Sequence, residues 1–109
     1  MSVIERLWGC YTVLEDKHGL FKIKRLTVKP GNQLSDQMHL HRSEHWVVVQ
    51  GTAEVTVNGE KRLLRKGEST FVGTTVRHRL GNPGIIPLEV IEVSLGEYIA
   101  EDDITRFEE

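Results

Sequence analysis

Cysteine is nearly absent from this sequence, and several classes of protein are excluded with it. The 109 residues contain one cysteine, which excludes an intramolecular disulfide framework and a cysteine-rich zinc site. Because the sequence lacks the paired cysteines typical of oxidising compartments, a cytoplasmic location is the default expectation. The N-terminus has no basic segment followed by a long apolar run, so we expect no signal peptide. No run approaches the roughly 18 apolar residues of a membrane span, so we expect no membrane association.

An excess of basic residues is also lacking. The chain has 14 lysines and arginines against 16 acidic residues, a formal net charge of −2. This balance argues against nucleic-acid binding driven by bulk charge. Hydrophobic residues make up 39% and charged residues 28%, a mixture that is typical of an ordinary globular protein. We expect one compact domain over residues 1–109, with a genuine hydrophobic core.

Long helical stripes of apolar residues are missing, and short β-rich runs take their place. Ala53–Val57 alternates apolar and polar side chains like a half-buried strand, and the following Asn58-Gly59 predicts a type I′ hairpin turn. Many short strands separated by turns predict an all-β sandwich or small barrel. The acidic tail Glu101–Glu109 is expected to be a short helix or an extended arm. The predicted strands are Tyr11–Leu14, Phe21–Val28, Trp46–Gln50, Ala53–Val57, Lys61–Leu64, Ser69–Val72, Val76–Leu80 and Leu88–Val93.

Three of the five histidines fall in the short segment Gln37–His45. Imidazole nitrogens and carboxylate oxygens are preferred ligands of zinc, manganese, iron and nickel ions. Residues two apart on an extended segment share a face. Either Gln37 and His39, or His39 and His41, can therefore point at one metal ion.

Adjacent strand residues point to opposite faces, which limits how the rest of this segment can contribute. Glu44 and His45 are neighbours, so only one of them can join a site with His39. A further histidine, His78, can complete the ligand set from a distant strand. The histidine-rich segment therefore predicts a metal site built from at least two parts of the chain.

Two motifs with fixed spacing carry a resemblance to the cupins, which are small jelly-roll barrels with metal-binding motifs. The first cupin motif is G-x5-H-x-H-x4-E-x6-G, and this sequence reads Gly31-x5-Gln37-x-His39-x4-Glu44-x6-Gly51. The second motif is G-x5-P-x-G-x2-H-x3-N, and this sequence reads Gly67-x5-Gly73-Thr74-Thr75-x2-His78-x3-Asn82. Gln37 replaces a histidine, and the proline and glycine of the second motif are absent. The resemblance implies an all-β, double-stranded β-helix: a cupin jelly-roll barrel.

Within the cupins, the chain resembles one family over nearly its whole length. The similarity to the type II mannose-6-phosphate isomerase domain is carried by Leu34–His39, Arg42–Val49, Asn82–Gly84, Pro87–Val93 and Glu101–Ile104. In that family the domain often follows a mannose-1-phosphate guanylyltransferase domain in one bifunctional protein. The resemblance implies a metal-dependent aldose–ketose isomerase that interconverts mannose 6-phosphate and fructose 6-phosphate. Zinc is the first choice of divalent metal, with cobalt, manganese, iron and nickel as alternatives.

The motif spacing of this family suggests which residues hold the metal ion. The first choices are Gln37, His39, Glu44 and His78, and His41 is the main rival of Gln37. The family commonly has three consecutive histidines where this chain has His39-Leu40-His41. None of the departures from the family pattern removes a candidate ligand.

An isomerase of this type also needs a base and an anchor for the phosphate group. His45, or His41 if it is not a ligand, is the candidate base, because imidazole titrates near working pH. Arginine forks suit phosphate, which makes Arg42 and Arg79 the candidate anchors. Two lysines, Lys22 and Lys24, are weaker candidates for the same role.

Two other functions are compatible with the same residues. Two histidines and one carboxylate can leave open positions on iron for oxygen, which would suit a small iron-dependent dioxygenase. A non-catalytic cupin that binds sugar phosphates is the second alternative. The expected partners are a small-molecule sugar phosphate and a second copy of the chain. A homodimer is expected because cupins of this size usually pair and because long β-rich runs would otherwise leave an open sheet edge.

Overall fold

In a computed structural model the chain forms two antiparallel β-sheets, and the structure describes residues 2–107. One sheet has the order β1-β2-β3-β10-β5-β8 and the other the order β11-β4-β9-β6-β7. No helix in the described part of the chain is long and apolar enough to cross a membrane. The strands are β1 (Val3–Arg6), β2 (Gly9–Lys17), β3 (Phe21–Val28), β4 (Asp36–Met38), β5 (Arg42–Gln50), β6 (Ala53–Val57), β7 (Glu60–Leu64), β8 (Ser69–Val72), β9 (His78–Gly81), β10 (Leu88–Gly96) and β11 (Thr105–Phe107).

The all-β prediction is confirmed, and three strands, β3, β6 and β8, have the predicted bounds. Asn58 and Gly59 have φ angles of 52° and 83°, the two positive values that a type I′ turn requires. Three short strands, β1, β4 and β11, were not predicted. The acidic tail forms no helix as far as Phe107: after a turn at Glu101 and Asp102 it is extended, and β11 pairs with β4. Glu108 and Glu109 lie outside the described residues.

The inward-facing residues of β10 change from apolar to polar along the strand. Alternate residues of a strand share a face, and the buried ones here are Leu88, Val90, Glu92 and Ser94. The neighbouring strands repeat this change, because the antiparallel register places Val90 opposite Val48 on β5 and Ser94 opposite Glu44. The interior therefore has an apolar end and a polar end.

Each end of the interior draws its side chains from both sheets. Hydrophobic burial in the apolar end provides the main favourable contribution to folding. The polar end contains buried charged and hydrogen-bonding groups, which need partners inside the protein. The apolar end contains Leu26, Val28, Val48, Leu80, Leu88 and Val90, and the polar end contains Lys24, His39, Arg42, Glu44, His78, Glu92 and Ser94.

Candidate metal centre and its cavity

Three buried side chains, His39, Glu44 and His78, meet at the polar end of the interior. Their ligand atoms all lie within 4.8 Å of one another. Oε2 of Glu44 is 3.4 Å from Nε2 of His39, and Oε1 is 3.7 Å from Nε2 of His78. Metal bonds of about 2.0–2.2 Å place neighbouring ligand atoms about 3–4 Å apart. The spacing therefore fits a divalent metal ion.

The ring orientations of the two histidines also suit metal binding. Nδ1 of His39 is 2.6 Å from the carbonyl oxygen of Asp103, and Nδ1 of His78 is 2.9 Å from that of Val76. A carbonyl oxygen only accepts hydrogen bonds, so Nδ1 carries the proton in each ring and the Nε2 lone pair faces Glu44. Nε2 of His78 is buried and has no hydrogen-bond partner in the described chain. Such an unsatisfied lone pair is uncommon in a protein interior and fits a metal ligand.

Burial keeps both imidazoles in the neutral form that binds metal ions. Burial and, next in size, the Arg42 guanidinium together lower the pKa of His39 from 6.5 to about 4. The pKa of His78 is also lowered, mainly by burial. A lower histidine pKa means that the proton leaves at lower pH. Both rings are therefore neutral at pH 7, and protons do not compete strongly for their lone pairs.

The carboxylate of Glu44 is held by two donors from its own strand. Nε of Arg42 donates to Oε2 at 3.0 Å, and Nε1 of Trp46 donates to Oε1 at 3.2 Å. Arg42 also donates to the carbonyl oxygen of Ala100 at 3.1 Å and to Nε2 of His39 at 3.2 Å. These bonds fix the carboxylate between the two histidines. Arg42, predicted to anchor phosphate, is thus largely engaged within the site.

Asp103 in the C-terminal arm fixes the segment that carries His39. Its carboxylate accepts hydrogen bonds from the backbone amides of Leu40 and His41, each at 2.9 Å. These bonds hold the pKa of Asp103 below its ordinary value against the opposing effect of burial, which is the largest single influence. Sequence reasoning assigned no role to this residue, although Glu101–Ile104 was part of the family resemblance. No periodic pattern predicts a contact between residues so far apart in the chain.

His39 and Glu44 form part of the wall of an open cavity. Lys24 and Glu101 are paired across it at 3.1 Å. Arg6 and Arg106 form no ion pair within residues 2–107. Trp8 and Tyr11 contribute aromatic surfaces. The other charged side chains that line the cavity are Arg6, Lys24, Arg42, Glu92, Glu101 and Arg106.

The structure distinguishes between Gln37 and His41, the two candidates for the fourth metal ligand. Gln37 lies on β4 opposite His78 in the strand register and lines the cavity. His41 is exposed, and its ring packs edge-on against Tyr98 with 5.9 Å between the ring centres. Of the two, only Gln37 lies where it can join His39 and His78.

The predicted base and the second predicted anchor lie away from the cavity. His45 is exposed, and its ring packs edge-on against Phe71 at 4.7 Å. This follows from strand alternation, because Glu44 next to it faces inward. Arg79 is half-buried, and its Nε donates to the carbonyl oxygen of Leu34. Of the two candidate lysines, Lys24 lines the cavity and Lys22 does not. The homodimer stays a prediction.

Glu92 is a second buried carboxylate in the cavity wall, and sequence reasoning missed it. Burial and, next in size, the charge of Glu44 raise the pKa of Glu92 from 4.5 to about 7. The positive charges of Lys24 and Arg42 act in the opposite direction but do not cancel it. The available signal was the predicted strand Leu88–Val93, since alternation in such a strand places Glu92 on the same face as Leu88 and Val90.

Comparison with known proteins identifies the family of this chain. The family model described as mannose-6-phosphate isomerase C-terminal matches residues 2–109. The chain belongs to this family. It is 55% identical over 106 residues to the xanthan biosynthesis protein XanB of Xanthomonas campestris and 52% identical over 106 residues to the alginate biosynthesis protein AlgA of Pseudomonas aeruginosa. Each match covers 97% of this chain and 22% of the relative, so the chain spans about a fifth of these relatives.

Solved structures confirm the cupin fold. The cupin domain of Cnp3 from Schizosaccharomyces pombe matches with a TM-score of 0.79 and 16% identity, over 88% of this chain and 69% of that one. The capsular polysaccharide assembling protein CapF of Staphylococcus aureus matches with a TM-score of 0.87 and 16% identity, over 99% of this chain and 32% of that one. At these identities the likeness concerns the fold alone. The predicted double-stranded β-helix is therefore confirmed.

Removal of a ligand should abolish tight metal binding. We expect His39→Ala, Glu44→Ala and His78→Ala each to weaken Zn²⁺ or Co²⁺ binding strongly. The loss of affinity should exceed the roughly 10–100-fold that follows mutation of a residue hydrogen-bonded to a metal ligand. Gln37→Ala should also weaken metal binding. A competition titration with a chelator measures the affinity. His41→Ala and His45→Ala are matched controls that should retain it, and full affinity in any of the first three variants removes that residue from the ligand set.

Replacement of Glu92 should stabilise the metal-free protein at alkaline pH. Its native pKa of about 7 lies above the unfolded value of 4.5, so the ionised carboxylate lowers the free energy of unfolding as pH rises through this window. Glu92→Gln should therefore raise this free energy by up to about 3 kcal/mol at pH 8 and by much less at pH 4.5. Urea denaturation of chelator-treated protein measures both values. Glu89→Gln, on the outer face of β10, is the control, and an equal effect at both pH values contradicts the prediction.

Proposed function

We propose that this chain is a metal-dependent aldose–ketose isomerase that interconverts mannose 6-phosphate and fructose 6-phosphate. The observation that carries the proposal is the buried His39–Glu44–His78 group with its unsatisfied Nε2 atom, at the wall of an open cavity. Membership of the mannose-6-phosphate isomerase C-terminal family supports the choice of reaction and substrate. Zn²⁺ is our first choice of metal, since two imidazoles and a carboxylate are among its usual ligands.

The reaction moves a proton between C1 and C2 of an open-chain sugar phosphate. His39, Glu44 and His78 would hold the metal ion, with Gln37 as a fourth ligand. When bound, the ion supplies a Lewis acid that polarises the carbonyl group of the sugar. The bonds from Arg42 and Trp46 keep Glu44 oriented during this chemistry.

Phosphate is expected to bind at the two arginines of the cavity that form no ion pair with another residue of the range 2–107. Lys24 is paired with Glu101, and Arg42 is bonded to Glu44. Arg6 and Arg106 line the same cavity and are exposed residues. An arginine fork binds phosphate oxygens in pairs. We therefore assign the phosphate anchor to Arg6 and Arg106, instead of the Arg42 and Arg79 expected from the sequence.

A turnover assay tests the proposed activity. Chelator-stripped protein is reloaded separately with zinc, cobalt, manganese or iron and given mannose 6-phosphate, and fructose 6-phosphate is measured with a coupling enzyme. We expect turnover with at least one ion, loss of turnover in Glu44→Ala, and retention in His45→Ala. Hexose phosphate binding without turnover would favour the non-catalytic cupin. Oxygen consumption with bound iron would favour the dioxygenase.

Loss of either arginine should weaken substrate binding more than it slows the chemical step. Hydrogen bonds to a charged group contribute about 1.5–3 kcal/mol, so we expect Arg6→Ala and Arg106→Ala each to raise KM by about 10-fold or more. Titration of the metal-free protein with inorganic phosphate should show the same weakening, independently of turnover. Arg25→Ala is the control, because Arg25 pairs with Glu89 outside the cavity. Unchanged phosphate binding in both variants would contradict the assignment.

A further inference from the structure

Glu92 is a buried acidic group in the cavity that neither the metal group nor the phosphate anchor uses. Its residue is 7% exposed, and its side chain lines the cavity. The contact that the structure gives its carboxylate is a long one, from Oγ of Ser94 to Oε2 at 3.4 Å. Within residues 2–107 no lysine, arginine or histidine nitrogen forms an ion pair with it. A buried carboxylate with so few partners is costly for the fold, which favours a chemical role for it.

The strand register places Glu92 beside the metal group. Glu92 on β10 lies opposite Trp46 on β5, and Ser94 lies opposite Glu44. Glu92 and Glu44 are thus diagonal neighbours on the same face of two paired strands, with about 7 Å between their backbone positions. A substrate whose oxygen atoms reach the His39–Glu44–His78 group therefore has the adjoining carbon atoms within reach of Glu92.

The other acidic groups in the cavity are less suited to proton transfer. Glu44 accepts hydrogen bonds from two donors and lies between the two histidines. Glu101 forms an ion pair with Lys24, and more than half of its side-chain surface is exposed. His41 and His45, the bases considered from the sequence, lie on the outer surface. Among the described residues, Glu92 is the acidic group of this cavity that is both buried and without an ion pair.

We propose that Glu92 is the catalytic acid–base that carries the proton between C1 and C2 of the sugar phosphate. This inference rests on the proposed isomerase function and names a residue for its central step. The role requires the carboxylate to contact the hydrogen on C2 of the aldose and then C1 of the intermediate. Proton carriage by one carboxylate between adjacent carbons is compatible with its position on a single wall of the cavity.

The step balances without any co-reactant. The carboxylate of Glu92 takes the proton from C2, the C2–H electron pair becomes the C1=C2 bond, and the carbonyl pair moves to O1, which takes a proton from solvent in the open cavity to give an enediol. The carboxylic acid then returns its proton to C1. The electron pair of the C1=C2 bond forms the new C1–H bond, and the O2–H pair forms the C2=O bond. The proton released from O2 balances the one that O1 gained. The ketose results, and Glu92 is again a carboxylate.

Variants of Glu92 test this role against a purely structural one. Glu92→Gln keeps the size of the side chain but cannot accept the proton, so we expect kcat to fall by about 10²–10⁴-fold. Glu92→Asp keeps the carboxylate at a shorter reach and should be at least 10-fold faster than Glu92→Gln. Glu89→Gln, three residues earlier on the outer face of β10, should have the kcat of the original chain.

Three readouts besides turnover separate chemistry from folding. The metal content of Glu92→Gln and the affinity of the metal-free variant for mannose 6-phosphate should both stay within about threefold of the original chain. Incorporation of deuterium from D2O at C2 of mannose 6-phosphate, followed by NMR, should fall together with kcat if the sugar proton exchanges with solvent while it is on Glu92.

The outcomes distinguish failure of this inference from failure of the proposed function. If the original chain isomerises mannose 6-phosphate and Glu92→Gln retains more than a third of its kcat, the acid–base role is wrong and the isomerase stands. If Glu92→Gln loses its metal ion or its sugar affinity in proportion to kcat, the residue is structural and the inference is also wrong. If the original chain shows no turnover with any metal, the proposed function fails and the role of Glu92 fails with it.

Discussion

The rest of the site depends on one constraint, which is that the charged carboxylate of Glu44 is buried. This carboxylate lies 3.4 and 3.7 Å from the Nε2 atoms of two histidines and accepts hydrogen bonds from Arg42 and Trp46. A carboxylate away from water needs such partners. Both donors come from β5 itself, while the histidines, on β9 and in the segment before β5, face the carboxylate with their Nε2 atoms. One negative charge in the interior therefore orients Arg42 and Trp46 and lies beside both histidines.

The position of this charge follows from the geometry of paired strands. Alternation selects which residues of a strand face inward, and the antiparallel register aligns those residues on neighbouring strands. Here the register brings Glu92 opposite Lys24 on one side and Ser94 opposite Glu44 on the other. Polar residues that are separated in the sequence thus meet at one end of the interior. The apolar end, with Leu88 and Val90, retains the packing that stabilises the fold.

The sequence was sufficient for the parts of the site that depend on periodicity and motif spacing. Alternation alone showed that Glu44 and His45 face opposite sides, and the spacing of His78 suggested that it meets His39. The Asp103 contacts were not predictable in this way, because they join residues more than 60 positions apart through backbone amides. Strand alternation was enough to place Glu92 on the inward face, but it does not indicate whether an acidic residue on that face has a function.

The groups to which we assign chemistry in this interior also lower the stability of the metal-free fold. Nε2 of His78 is buried without a hydrogen-bond partner in the described chain, and Glu92 is buried with no ion pair there. An ion bound by Nε2 of His78 would satisfy that atom. The unfolded chain does not hold these ligands together, so such an ion would bind the native state alone. Its binding free energy would therefore increase the free energy of unfolding. The barrel can therefore keep an unfavourable polar end, since the apolar end maintains the fold until a ligand is bound.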